Sequence, residues 1–262
     1  MDKRPIGIFD SGIGGTSIWG EIQRLMPNED CLYLADSKNA PYGEKSKELI
    51  LELSIKNTEY LLGQHCKLIV VACNTATTNA IAFLRDQYAV PFIGIEPAIK
   101  PAALNSKTKV IGVLATKGTL TSSLFHSTSK IHAAGITIVE QTGTGLVEMI
   151  EKGALNSDDM VNTLTRYMQP MVEKGIDYLV LGCTHYPYLI PILKELLPNN
   201  VVIIDSGQAV AKQTLSVLDK NGLITDSTKV GIHQFYSNAD EKVLFDILSK
   251  NHVNTQVSYL DF

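Results

Sequence analysis

Cys73 and Cys183 sit in matching settings 110 positions apart (183 − 73). The first closes the run Leu68-Ile-Val-Val-Ala-Cys73 and is followed by Asn74-Thr75; the second closes Tyr178-Leu-Val-Leu-Gly-Cys183 and is followed by Thr184-His185. A thiol at the tip of a buried strand is placed for chemistry, and a following helix would favour thiolate through its N-terminal dipole. A single Cys–His pair points to a thiol hydrolase with a covalent intermediate. Two symmetric thiols point to a different reaction. One thiolate takes a proton from one face of a carbon, and the other thiol returns one on the opposite face, which inverts a stereocentre without a leaving group or water. Other readings stand beside this one. Buried cysteine is commonly a small hydrophobe, as Cys31 and Cys66 can be. Zinc could use both cysteines and His185, but C-x-H lacks a clear fourth ligand and the usual paired spacing. A disulfide is disfavoured in a reducing compartment. No lysine stands out as a pyridoxal-phosphate attachment point.

The elements that must position these thiols are short apolar runs. Strands are expected at Ile6–Phe9, Cys31–Ala35, Leu68–Ala72, Phe92–Ile95, Lys109–Leu114, Thr137–Val139, Tyr178–Leu181 and Val201–Ile204. Helical patterns lie between them at Gly15–Met26, Ser46–His65, Ala76–Tyr88, Met160–Lys174 and Tyr188–Leu197. Continuous apolar strands alternating with helices predict an α/β fold with a mainly parallel sheet covered on both faces. Ligands in such sheets bind beyond the carboxyl ends of the strands.

An internal repeat is visible. Ile6-Gly-Ile-Phe-Asp-Ser11 resembles Ile111-Gly-Val-Leu-Ala-Thr116 at an offset of 105 (111 − 6), close to the offset of the cysteines. Cys31–Ala35 has its counterpart in Thr137–Val139. Two related halves follow: residues 1–97 joined by 208–262, and residues 98–207. The tail carries an amphipathic helix (Ala209–Leu218), a strand-like Gly231–Tyr236, a helix at Glu241–Ser249 and a terminal Val253–Leu260. It is too short for a third domain and is expected to pack back on the first half.

Bulk properties narrow the function classes. The 262 residues are 45% hydrophobic and 19% charged with net charge −4, so a sizeable core can form and no polyanion partner is indicated. No Lys/Arg block suggests a nucleic-acid surface, and no apolar run approaches the ~18 residues of a membrane span. The opening Met1-Asp-Lys-Arg-Pro5 runs straight into a strand rather than a signal peptide. Four cysteines in a chain of this length do not make a disulfide framework. Together these predict a cytoplasmic protein.

Two loops add chemistry. Asp10-Ser-Gly-Ile-Gly-Gly15 lacks the spacing of a dinucleotide or P-loop motif. It reads either as a tight turn or as a loop whose amides meet a small anion at a helix N-terminus. Asp10, at a strand tip, is suited to a ligand amine or a catalytic group. Asp36-Ser-Lys-Asn-Ala-Pro-Tyr-Gly43 is a turn that could offer the Tyr42 and Gly43 amides to the same cleft.

Phe9-Asp-Ser-Gly-Ile-Gly-Gly15, Pro41-Tyr-Gly43 with Lys45-Ser46, Ala72-Cys-Asn-Thr-Ala76, Gly182-Cys-Thr-His-Tyr-Pro187 and Asp205-Ser-Gly207 resemble, in this order, the signature segments of the glutamate racemases. The resemblance implies two pseudo-symmetric α/β domains with the active site in the cleft between them. It implies interconversion of L- and D-glutamate by two bases, with no cofactor and no metal, supplying D-glutamate for peptidoglycan and so for cell-wall biogenesis and cell shape. It makes Cys73 the base towards D-glutamate and Cys183 the base towards L-glutamate, with Asp10 near the first thiol and His185 near the second. Asp10, Ser11, Tyr42, Gly43, Asn74, Thr75, Thr184 and His185 would bind the substrate, and Glu148 would be an assisting acid. The segment Glu140–Glu148 departs from the family pattern, and its two glycines suggest a more mobile loop. The chain starts at its first strand, so it is expected to lack the N-terminal extension that some relatives use for activator binding. The partners implied are small-molecule glutamate, neither nucleic acid nor membrane, with a homodimer left open. An aspartate or hydantoin racemase of the same superfamily, or a non-catalytic amino-acid-binding protein, is the alternative.

Overall fold

Apolar runs that cannot face water on either side become the central strands of two all-parallel sheets. The computed structural model describes residues 2–249 and 254–262. The chain begins β1 (Ile6–Asp10), α1 (Thr16–Leu25), β2 (Cys31–Ala35), α2 (Lys47–Gly63), β3 (Leu68–Val71), α3 (Asn74–Gln87) and β4 (Phe92–Gly94). It continues through α4 (Ile99–Asn105), β5 (Val110–Ala115), α5 (Lys117–Leu120), α6 (Ser123–His132), β6 (Thr137–Thr142) and α7 (Leu146–Glu151). Then come α8 (Asp158–Glu173), β7 (Tyr178–Gly182), α9 (Ile190–Leu196) and β8 (Val202–Ile204). The tail supplies α10 (Gly207–Lys220), β9 (His233–Ser237), α11 (Lys242–Leu248) and β10 (Thr255–Tyr259). The expected terminal strand began at Val253, which lies outside the described residues.

The first sheet has the order β10-β9-β2-β1-β3-β4 and the second β6-β5-β7-β8. The cores of the two sheets repeat. Ile6 pairs with Leu68 in one, and Ile111 pairs with Tyr178 in the other. The strand that ends before Cys73 and the strand that ends before Cys183 therefore hold the same place beside the central strand. All four residues of β3 are fully buried. At roughly 1.5–3 kcal/mol for each fully buried large aliphatic side chain, such strands anchor their tips firmly. The tail enters the first sheet through β9, which pairs with β2 from Cys31↔His233 to Ala35↔Ser237.

The strands fall where the apolar runs are, with their ends moved. β1 reaches Asp10 and β6 continues to Thr142, because pairing with β5 extends past the apolar residues as far as Ala115↔Thr142. The short helices α4, α5, α6 and α7 lack a readable pattern. α6 is rich in Ser and Thr, which compete with the helical backbone for hydrogen bonds. It forms because the Ser122 side chain accepts from the Phe125 amide at 3.1 Å and Phe125 is buried. Among the described residues no helix is long and apolar enough to cross a membrane.

Candidate active site

β1 delivers Asp10 to the carboxyl edge of the first sheet, where it is fully buried. Its carboxylate accepts from the Ser11 amide at 2.6 Å, the Gly15 amide at 2.5 Å and, from the other half, the Thr184 hydroxyl at 3.1 Å. Burial pushes its pKa up to about 6, helped by the Glu151 charge and opposed by His185 and by the Ser11 and Gly15 amides. The loop after Asp10 is glycine-rich because two side chains come from the other half to meet it. A Cβ on Gly12 would lie 2.0 Å from Glu151 Oε1, and one on Gly14 would lie 2.2 Å from His185 Nδ1. The loop amides thus serve the protein's own carboxylates: Gly15 binds Asp10, and Ile13 donates to Glu151 Oε1 at 2.7 Å. This replaces the small anion of the sequence reading.

Cys73 ends the β3 run and caps α3, its sulfur accepting from the Ala76 amide at 3.4 Å. It donates to Ser11 Oγ at 3.7 Å, and Ser11 Oγ in turn donates to Asp10 Oδ1 at 3.3 Å. Asp10 therefore reaches Cys73 through a hydroxyl. The helix dipole was expected to favour thiolate here. Instead burial, with the Asp10 charge, pushes the Cys73 thiol well above its ordinary range, and the Ala76 amide and Ser11 only partly offset this.

Cys183 follows β7 and leads into a 3₁₀ turn, Tyr186–Leu189, before α9. Its sulfur lies 3.8 Å from His185 Nδ1, and His185 Nε2 lies 2.5 Å from Glu151 Oε1. Burial alone would depress the imidazole, but contact with Cys183 and Glu151 outweighs it and raises His185 well above its usual value. Burial would raise the Glu151 carboxyl. The His185 hydrogen bond and charge, the Ile13 amide and the Ser37 hydroxyl outweigh it and hold the carboxyl below its usual range. Both directions describe an imidazolium–carboxylate pair.

The acid on His185 is Glu151, and Glu148 does not meet it. α7 starts after Gly145, which adopts the left-handed conformation at φ 80°. Glu148, three residues or about 4.5 Å of helix rise before Glu151, lines instead an adjoining pocket with Pro41, Gly43, Glu44, Lys117 and Thr144. The altered loop had concealed this register.

Asn74, Thr75 and Thr184 line the same cavity as both thiols, with Ser11, Tyr42, Gly43 and His185. The cavity's volume is about 10 Å³, about enough for one water. Both amide atoms of Asn74 are buried without a protein partner among the described residues. The Tyr42 phenol is committed to Asp36 and Asn57, so its backbone is the part left to serve a ligand. Thr75 Oγ1 meets Thr116 Oγ1 at 2.9 Å across the two halves. Thr116, Pro41 and Val147 also line the cavity and were absent from the sequence candidates. Thr116 was findable, since the repeat sets it opposite Ser11. Glu151 and Ser37 carried no such signal.

All four cysteines are free. Among the described residues, no group of three or more His, Cys, Asp or Glu side chains is arranged to hold a metal ion.

Two matched strand tips carrying thiols over one small polar cleft define a racemase-type α/β protein. The Asp/Glu/hydantoin racemase family profile matches residues 23–214. A glutamate racemase of Ectopseudomonas mendocina is 48% identical over 225 residues, covering 86% of each chain. Glutamate racemase isoform RacE1 of Bacillus anthracis superposes with TM-score 0.89 at 28% identity, over 100% of this chain and 98% of that one. Escherichia coli glutamate racemase, solved with L-glutamate and the activator UDP-MurNAc-Ala, superposes with TM-score 0.86 at 33% identity over 98% of both chains. The chain belongs to the Asp/Glu/hydantoin racemase family, among its glutamate racemases.

Proposed function

We propose that this chain interconverts L- and D-glutamate by a two-thiol mechanism without a cofactor. The observation that carries the reading is one small cavity lined by two buried thiols from equivalent strand tips, Cys73 backed through Ser11 by Asp10 and Cys183 backed through His185 by Glu151. The α-proton of an amino acid is far less acidic than a thiol, whose pKa is ~8.5. A thiolate removes it only where the developing carbanion is held in place by fixed donors. Asn74, Thr75, Thr184 and the Tyr42–Gly43 backbone surround the cavity and supply such donors to the substrate carboxylates. An Asn74 amide without a partner among the described residues fits a ligand that both donates and accepts, because buried polar groups are rarely left unpaired.

Cys73 acts as base on D-glutamate. Its proton has a path through Ser11 to Asp10, which is ionised above pH about 6. Cys183 acts as base on L-glutamate, with the His185–Glu151 pair beside its sulfur. The chain divides into residues 1–97 plus 208–262 and residues 98–207, a reading supported by the strands each sheet recruits. The enzyme works in the cytoplasm, supplies D-glutamate to peptidoglycan synthesis, and can do so as a homodimer. Circular dichroism of glutamate against aspartate, with no cofactor added, tests the assignment. Turnover of glutamate is expected, and turnover of aspartate alone would overturn it.

A further inference from the structure

Glu151 belongs to α7, yet two of its three partners come from the first half of the chain. Oε1 takes His185 Nε2 at 2.5 Å and the Ile13 amide at 2.7 Å, while Oε2 takes the Ser37 hydroxyl at 2.8 Å. Ser37 is itself held. Asp36, the residue before it, is buried and accepts from Asn238 Nδ2 at 2.5 Å and Asn39 Nδ2 at 2.8 Å. The Lys38 amide, on the other side, donates to Asn238 Oδ1 at 2.9 Å. Asn238 follows β9, so the tail clamps both neighbours of Ser37. A carboxylate turns freely about its last bond unless both oxygens are held. Ser37 is the group that holds the oxygen His185 does not use.

We infer that Ser37 is a positioning residue for the second thiol: by fixing Glu151 from the opposite half, it orients His185 on Cys183 only when the two halves are closed. The support of Cys183 is then completed by domain closure; the Ser11 and Ala76 contacts of Cys73 lie within one half, and Thr184 of the other half reaches only the Asp10 carboxylate behind them. This rests on the two-thiol reading, and the wild-type glutamate assay reports on that reading separately.

The test is Ser37→Ala, assayed with L- and D-glutamate carrying deuterium at Cα. A hydrogen bond to a charged group is lost, so kcat/KM is expected to fall about tenfold for both enantiomers, since the equilibrium constant of a racemisation is unity. The primary isotope effect should rise with L-glutamate, where Cys183 breaks the C–H bond, and fall with D-glutamate. Ser37→Thr, which keeps the hydroxyl, should restore wild-type values. Asn238→Ala should give the same skew in smaller measure and serves if Ser37→Ala does not fold. Isotope effects that stay unskewed in the folded variant, or a threonine variant as impaired as alanine, would overturn the inference.

Discussion

The Cys73 side and the Cys183 side share a strand, a tip and a thiol, and differ in what stands behind the sulfur. Cys73 caps a helix and reaches a carboxylate through the Ser11 hydroxyl of its own half. Cys183 meets an imidazole directly, and the carboxylate behind that imidazole is gripped from the other half. The repeated strand pairing accounts for the frame, and the asymmetry lies in the loops. A symmetric carbanion intermediate can be approached from either face by chemically unequal supports, provided each thiol can give and take a proton.

The largest effects are expected at the two sulfurs. Cys73→Ser and Cys183→Ser should each lower racemisation by roughly 10³-fold or more, within the usual range of general acid–base effects, while the thermal melting temperature stays near that of the parent. Normal turnover by either variant in the circular-dichroism assay would end the two-thiol account.

The supports come next. Asp10→Asn and His185→Asn should each lose about 10²-fold in kcat/KM, with opposite signatures. The first should raise the isotope effect measured from D-glutamate, and the second that measured from L-glutamate. Identical signatures would mean that the two supports are not assigned to separate thiols.

The pH dependence sharpens the contrast. Asp10 is raised from 3.8 to about 6 by burial, so kcat/KM should decline below pH about 6 as its carboxylate is protonated. A raised carboxyl binds its proton more tightly when folded. Its contribution to stability is therefore complete below pH about 4 and is lost as pH rises through about 6. That is on the order of 3 kcal/mol at 1.36 kcal/mol for each unit. Glu151 runs the other way, with stability present above its unfolded value and lost as pH falls through its lowered one. Denaturant melts of Asp10→Asn across this range should lose the Asp10 contribution.

The smallest effect separates two glutamates on one helix. Glu151→Gln leaves His185 buried without its charge partner, and should cost about tenfold in kcat/KM or more. Glu148→Gln, in the adjoining pocket, should change it less than about threefold. Equal losses in steady-state assays would restore Glu148 to the site.

The frame was legible because its signals are local. An apolar run ending in cysteine marks a strand tip from a few residues, and the repeat offset carries the second tip from the first. Asp10 and His185 were legible for the same reason. Glu151 was not, since its place depends on where α7 starts, and a single left-handed Gly145 sets that start. Ser37 was invisible because its partner lies 114 residues away, and a serine in a turn has no periodicity. Gly12 and Gly14 were visible as part of a turn, but their purpose, clearance for Glu151 and His185, exists only between the halves. Local patterns report a residue's own element, and contacts between halves leave no such mark.

The most direct test of two opposed thiols is racemisation of L-glutamate in heavy water without cofactor, stopped at low conversion. D-glutamate should carry deuterium at Cα while the remaining L-glutamate stays protonated. Product that keeps the substrate's own α-hydrogen, as a single base serving both faces would give, would contradict it.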